Sequence, residues 1–285
     1  MQVSGVGIIA LGSMLVITSG GLDFTAGDGV TLAGTFAAML FVVFNTDLGF
    51  NNDLIPNGAI LTNAMAVIAG VGMGAVMGAV SGVIITRLRI QPFITTLAMM
   101  TIIKGFMLFL SEGRIIHLDV SGATFTQIGQ GIIPFPGELR LNSMGNVQGI
   151  PVAFIIFICI AIIISIILHR TRFGQAIYAM GGNEEAARLA GVRVDWYRFW
   201  TFVVAGMLTG CGAIITLARA ASIGISLGGT TLLMDVVAAA VIGGTSVSGG
   251  KCNVFGVVIG AFIIVTITSA PVSYTHLTLP TTTRV

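Results

Sequence analysis

The chain has 285 residues, of which 55% are hydrophobic and only 8% charged, with a formal net charge of +2 and a mean hydropathy of +1.02. That much apolar surface exceeds what a soluble core of this size hides, which excludes a water-soluble domain, and so slight a charge excludes nucleic acid as a partner. Three cysteines, Cys159, Cys211 and Cys252, lie in or beside apolar runs without metal-ligand spacing and read as small packing residues.

In chain order, eight apolar segments predict an all-α, polytopic transmembrane helical bundle in the lipid bilayer: 3–18, 30–45, 59–86, 93–110, 150–168, 199–218, 233–248 and 253–270. The first, second and seventh are short, which points to broken or re-entrant helices whose freed backbone is satisfied by protein or by a polar cavity. Between the first two runs "TSGGLDFTAGDGVTLAG" (18–34), whose glycines let the backbone reverse. Two readings stay open there. Asp28 either complements the dipole at the N-terminus of the following helix, or the stretch is a broken helix in the solute path, offering Asp23, Phe24 and unwound backbone to a hydroxyl-rich solute.

The third segment repeats glycine every fourth residue, at Gly70, Gly74, Gly78 and Gly82, and so presents one face without side chains. In lipid it is close backbone approach, not burial, that joins helices, so this face is a packing surface, and Gly206 with Gly210 and Gly256 with Gly260 repeat the device. Polar groups within the apolar runs are few: Asn63, Thr95, Thr96, Lys104 and Asp235. A charge at mid-membrane costs about 2.5–3.5 kcal/mol on insertion scales. Lys104 and Asp235 therefore pair with one another, Lys104 snorkels, or these residues border the path of a polar solute; for Asn63, Thr95 and Thr96 the alternative is hydrogen bonding between helices.

The loops give orientation. Arg87 and Arg89 fall in 87–92, and Arg170, Arg172, Arg188, Arg193 and Arg198 in 169–198; the stretch 46–58 has no basic residue, and 111–149 has only Arg114 and Arg140 against three acids. The positive-inside rule puts the first two loops in the cytoplasm and the other two outside, with Trp196, Tyr197 and Trp200 at the inner water–lipid boundary. Met1 then emerges outside without flanking charge, which a further upstream span would repair. After Ala270 the text "PVSYTHLTLPTTTRV" abandons the apolar pattern, so the membrane domain is expected over 1–270 and a non-native tail over 271–285, the alternative being a genuine extracellular tail.

Within the long cytoplasmic loop runs "GGNEEAARLAGV" (181–192). Asn183 is a natural N-cap, Glu184 and Glu185 suit the first turn, Ala186, Ala187, Arg188 and Leu189 propagate, and Gly191 ends the helix. Two turns are unstable alone in water, so the alanines and Leu189 are expected to bury against the body. A tight hairpin would suffice to connect two spans, and the longer loop suits a docking knob for a cytosolic partner.

"EAARLAG" (185–191) matches the EAA-three-residues-Gly core of ABC importer permeases, and "GGLDFTAGD", "TRLRIQPFITTLAMMTIIKG" and "AAAVIGGTSVSGG" accompany it in order. From about Val3 to about Ser269 the chain resembles the permease subunit of ribose- and xylose-type monosaccharide importers, although the longer EAA consensus continues to Ile-x-Leu-Pro where this chain reads "WYRFWTFVV". The resemblance implies about ten helices, so that one span would be lacking at each end of the eight. It implies a multi-pass protein of the bacterial inner membrane, paired with a second permease copy, identical or not, an ABC ATPase subunit and a periplasmic sugar-binding protein. Asn183, Glu184, Glu185, Ala186, Ala187, Arg188 and Gly191 would couple to the ATPase. The chain has no G-x-x-x-x-G-K-[ST] phosphate loop, so hydrolysis is expected on the partner, and neither cofactor nor metal is expected here. An ion-coupled secondary transporter or channel would use the same bundle with an ion-binding cluster in its spans. A membrane enzyme would need a nucleophile and base, whereas His117 and His169 are isolated. A component of a receptor-like or signalling assembly is a third rival.

Overall fold

The computed structural model describes residues 2–44, 58–118, 125–134 and 149–275. Most of the stretches 46–58 and 111–149, and residues 276–285 of the expected tail, fall beyond the described residues. In chain order the helices are α1 (Gln2–Thr18), α2 (Thr25–Val42), α3 (Gly58–Leu88), α4 (Pro92–Ser111), α5 (Phe125–Gln130), α6 (Val152–Arg170), α7 (Arg172–Gly182), α8 (Glu184–Leu189), α9 (Val194–Ala220), α10 (Thr230–Ile242) and α11 (Val254–Thr275). Short strands β1 (Ile116–His117), β2 (Ile132–Pro134), β3 (Gly149–Pro151) and β4 (Ser222–Ile223) complete the fold. Each of the eight apolar segments thus contains a helix, although the seventh, expected over 233–248, is helical only to Ile242 and turns from Gly243 onward. Six runs, 25–42, 60–88, 92–111, 152–170, 194–220 and 225–242, are long and apolar enough to cross a membrane, and α1 and α11 add shorter apolar helices. The last helix runs on to Thr275, past the boundary expected at 270.

Every residue of α1 from Ser4 to Thr18 is buried, so this helix has no lipid face and is the post around which α6, α9, α10 and α11 pack. It is continuous, contrary to the expectation of a break. Its glycines receive neighbours instead: the Phe157 ring lies against Gly7 and the Ala205 backbone against Gly12.

α3 and α9 approach so closely that a Cβ on Gly74 would overlap the Gly206 carbonyl, one on Gly78 the Phe202 carbonyl, and one on Gly210 the Gly70 carbonyl. Gly82 meets Phe199 in the same seam. Gly256 and Gly260 of α11 likewise abut the carbonyls of Gly243 and Ala239.

Irregular backbone occurs at two depths of the bundle. Residues 19–24 leave α1 and double back beside α4, where Thr96 Oγ1 donates to the Leu22 carbonyl at 3.2 Å and the Phe24 ring packs on Phe93 at 5.4 Å. After α9, Ile223 covers Gly34, and Gly228 and Gly229 reach Gly27. Residues 223–229 therefore descend seven residues along α2, about 10 Å at the helical rise, before α10 begins. α2 starts at Thr25, five residues earlier than the apolar run suggested, because Gly27, Asp28 and Gly29 are helical and packed rather than exposed.

At the end of α9 opposite α8, β1 pairs with β4 and β2 with β3, both antiparallel, and α5 seats on the end of α9, with Gln130 Nε2 donating to the Arg219 carbonyl at 2.9 Å.

Candidate functional site

At the arginine-rich end α8 forms a six-residue knob. Asn183 Oδ1 accepts from the Ala186 amide at 3.0 Å and caps one end; Gly191, at φ +83°, lets the Val192 amide return to the Ala187 carbonyl at 3.0 Å and closes the other. Four charges then fasten the knob to α9. Glu184 Oε2 meets Arg198 Nη2 at 2.6 Å and Glu184 Oε1 meets Arg188 at 3.0 Å, while Arg188 meets Asp195 at 2.7 Å. The bond to Arg198 is the largest influence on Glu184; it holds the carboxyl below its ordinary range against partial burial, with Arg188 adding to it.

Ala187 faces inward and is buried. Leu189 does not share that burial, as its sequence had suggested it would: it is 91% exposed, because residues two apart lie about 160° from one another around a helix and cannot both face the body. Glu185 and Ala186 are also exposed. Leu189 thus stands at the apex of the knob beside exposed Glu185, on a base held by ion pairs, and neither periodicity nor composition marks that exposure out.

The knob borders an open cavity of about 560 Å³ lined by Gly20, Leu22, Arg89, Pro92, Arg198 and Val247, among others. Elsewhere at this end backbone meets backbone: Gly181 is pressed against the Thr18 carbonyl and Gly250, and the Gly250 amide donates to that same carbonyl at 2.9 Å. Tyr178 of α7 hydrogen-bonds Cys252 Sγ at 3.2 Å. The ends of α1 and α7 and the loop 243–253 therefore form one joint next to α8. Trp196, Tyr197 and Trp200 cluster at the first turns of α9, with Arg193 over the Trp196 ring at 5.6 Å.

The interior polar residues do not all converge. Asp23 is buried just before α2 and accepts from the Thr25 amide at 2.9 Å and the Thr25 hydroxyl at 2.5 Å, while Asp28 lies in the first turn of that helix, as the dipole reading of the sequence had it. It borders a cavity of about 220 Å³ with Ser13, Phe24, Leu233 and Val237. Phe24, Thr95 and Thr96 surround the same break in the chain, and the Thr95 hydroxyl is buried with no partner among the described residues. Asn63 is half-buried near the start of α3, toward the opposite end. Asp235 lies on α10 in a separate cavity of about 210 Å³ with Gln2, Thr216, Arg219 and Thr231. Lys104 makes no ion pair with Asp235 among the described residues, and Asp28 is 1% exposed in the first turn of α2 with Oδ2 unpartnered.

The family model described as branched-chain amino acid transport system / permease component matches residues 1–283. The chain is similar to the ribose import permease protein RbsC of Escherichia coli, 33% identical over 263 residues that cover 92% of this chain and 73% of the relative. It is similar to the galactose/methyl galactoside import permease protein MglC of Salmonella typhimurium, 34% identical over 264 residues, 91% of this chain and 73% of the relative. The fructose import permease protein FruF of Bifidobacterium longum is 29% identical over 257 residues, 90% of this chain and 64% of the relative. No solved structure matches this chain.

Proposed function

The chain belongs to the permease family described for branched-chain amino acid transport systems, and on that premise we propose that it is the membrane-spanning subunit of an ATP-driven importer of a monosaccharide of the ribose, xylose or galactose type. The observation that carries this reading is the similarity to sugar import permeases along more than nine tenths of the chain. A separate ATPase docks on Asn183–Gly191 from the cytoplasm, a periplasmic binding protein delivers the sugar at the opposite end, and a second permease copy completes the path across the bacterial inner membrane.

In this account the permease's own work is conformational. Closure of the nucleotide-loaded ATPase displaces α8, and the bonds from Glu184 to Arg198 and from Arg188 to Asp195 pass that displacement to α9. Since α9 packs on α1, α2 and α3, a small movement at the knob biases the whole bundle between inward-open and outward-open packings. Asp23, Phe24, Asn63, Thr95, Thr96, Lys104 and Asp235 are proposed to contribute to the solute path, where carboxylates accept from sugar hydroxyls and hydroxyl and ammonium groups donate.

Affinity purification from membranes that also contain the ATPase and the binding protein tests the reading. The wild-type chain is expected to retain the ATPase and to support ATP-dependent uptake of labelled ribose or galactose. Glu185→Arg and Gly191→Pro are expected to lose both, the second because proline cannot adopt the positive φ at that position. A wild-type chain that accumulates sugar with no ATPase bound contradicts the reading and favours an ion-coupled carrier.

A further inference from the structure

We infer that the cleft between the first turn of α7 and the start of α9 binds the phosphate-bearing headgroup of an anionic phospholipid of the inner leaflet. The inference goes beyond the importer reading and needs from it only that this end of the bundle faces the cytoplasm. An open cavity of about 330 Å³ lies there, lined by Arg172 and Gln175 of α7, Gly191 and Arg193 of the connecting turn, and Tyr197 of α9. Its charged lining is cationic throughout, whereas the larger cavity beside the knob contains Glu184 and Asp195 together with the arginines that pair them. Neither Arg172 nor Arg193 has an ion pair among the described residues.

Two guanidinium groups that share a cavity repel one another unless an anion joins them, and a guanidinium cannot shed its proton to relieve the repulsion. Arg193 lies over the Trp196 ring at 5.6 Å, which engages one side of the group and leaves its other N–H donors to an oxyanion. The Gln175 amide and the Tyr197 hydroxyl add neutral donors to the same lining. A phosphodiester, with its charge spread over two oxygens, suits this donor set through bidentate bonds. A zwitterionic headgroup would bring an ammonium into a cavity with no carboxylate to receive it, so the lining selects lipids whose headgroup carries the phosphate charge alone.

Position favours a lipid over a soluble anion. The 19 residues of α6 span about 28 Å at the helical rise, close to a hydrocarbon layer about 30 Å thick, and Ile162, Ile163 and Ile166 are exposed along it. That helix ends at Arg170, so Arg172, two residues on, falls at headgroup level. Trp196 and Trp200, four residues apart on one face of α9 and both exposed, mark the same level with rings suited to the water–lipid boundary. The cationic cavity therefore opens where phosphates of the inner leaflet lie.

Trp196 and Trp200 are the chain's two tryptophans, and quenching of their fluorescence by lipids with brominated acyl chains tests the inference in phosphatidylcholine vesicles that hold the full chain. Brominated phosphatidylglycerol is expected to reach half of its maximal quenching at a mole fraction at least about tenfold lower than brominated phosphatidylcholine does. Arg172→Gln with Arg193→Gln is expected to abolish most of that preference, and each substitution alone to remove part of it. Arg170→Gln, at an arginine that does not line the cavity, is expected to keep it. Both cavity arginines are exposed, so their replacement leaves the fold intact, and the single variants decide if the double one does not assemble. Equal potency of the two lipids overturns the inference, as does an equal loss in Arg170→Gln, which marks diffuse surface charge. Complete displacement of brominated phosphatidylglycerol by millimolar inorganic phosphate also overturns it and assigns the cavity to a free anion, whereas quenching that persists in phosphate supports the lipid. The vesicles contain neither ATPase nor sugar, so the outcome is read independently of the importer reading.

Discussion

Glu184 has two guanidinium partners of unequal shelter: Arg198 has a side chain 15% exposed, whereas that of Arg188 is 46% exposed. Water and salt screen the second pair far more, so the Arg198 bond should govern the position of α8. Glu184→Gln is expected to weaken ATP-dependent uptake while the chain still folds, and exchange of the two charges, Glu184→Arg with Arg198→Glu, to restore part of it; measured uptake that stays at wild-type level in Glu184→Gln refutes a role for the clamp. The carboxyl is held below its ordinary range in the folded chain. Its contribution is therefore complete above the unfolded carboxylate value and is lost only as pH falls through the lower folded one. ATPase retention should consequently be flat through neutral pH and decline only below about pH 4. Leu189 makes a separate prediction. A substitution at so exposed a site leaves stability within about 0.5 kcal/mol, yet Leu189→Asp is expected to reduce ATPase retention at least about tenfold, as truncation of a contact hot spot does; unchanged retention would show the apex to be idle.

Among the elements, the helix pair α3–α9 carries the most demanding geometry. Gly78 faces the Phe202 backbone, while Gly72, less than two turns away, has nothing within 4 Å of an added Cβ. Gly78→Leu is expected to cost about 1–3 kcal/mol or to prevent folding, and Gly72→Leu to be tolerated; thermal midpoints of the detergent-solubilised proteins compare them, and equal effects would contradict the seam. The eight apolar helices were legible in the sequence because each contains an apolar run, and the cap at Asn183 and the stop at Gly191 because their chemistry is local. The early start of α2 was not, since Gly27, Asp28 and Gly29 read as chain breakers until Gly228, Gly229 and Thr209 are seen to cover them. The descent of 223–229 along α2 and the small ribbons β1–β4 and β2–β3 depend equally on partners distant in sequence. The knob was legible as a helix but not as a surface: which way Leu189 points follows from how α8 is clamped to α9, and that clamp joins residues four to fourteen apart across a turn.

For the whole molecule, α9 is the element common to both ends. It begins beside the knob, crosses against α1, α2 and α3, and finishes under α5 and the β1–β4 ribbon. Packed interiors switch between discrete arrangements and do not deform continuously, so a displacement entering at Arg198 is available at the opposite mouth without a flexible relay. The joint of Thr18, Gly181 and Gly250 ties α1 to the same movement. The central claim is that force enters this bundle through α8 from a nucleotide-hydrolysing subunit. Leu189→Cys, treated with a short bifunctional thiol reagent in vesicles that actively accumulate sugar, tests it most directly. The account predicts a covalent adduct with the ATPase, formed from the cytoplasmic side and accompanied by arrest of uptake; labelling only from the periplasmic side, or uptake that continues with the ATPase never captured, would contradict it.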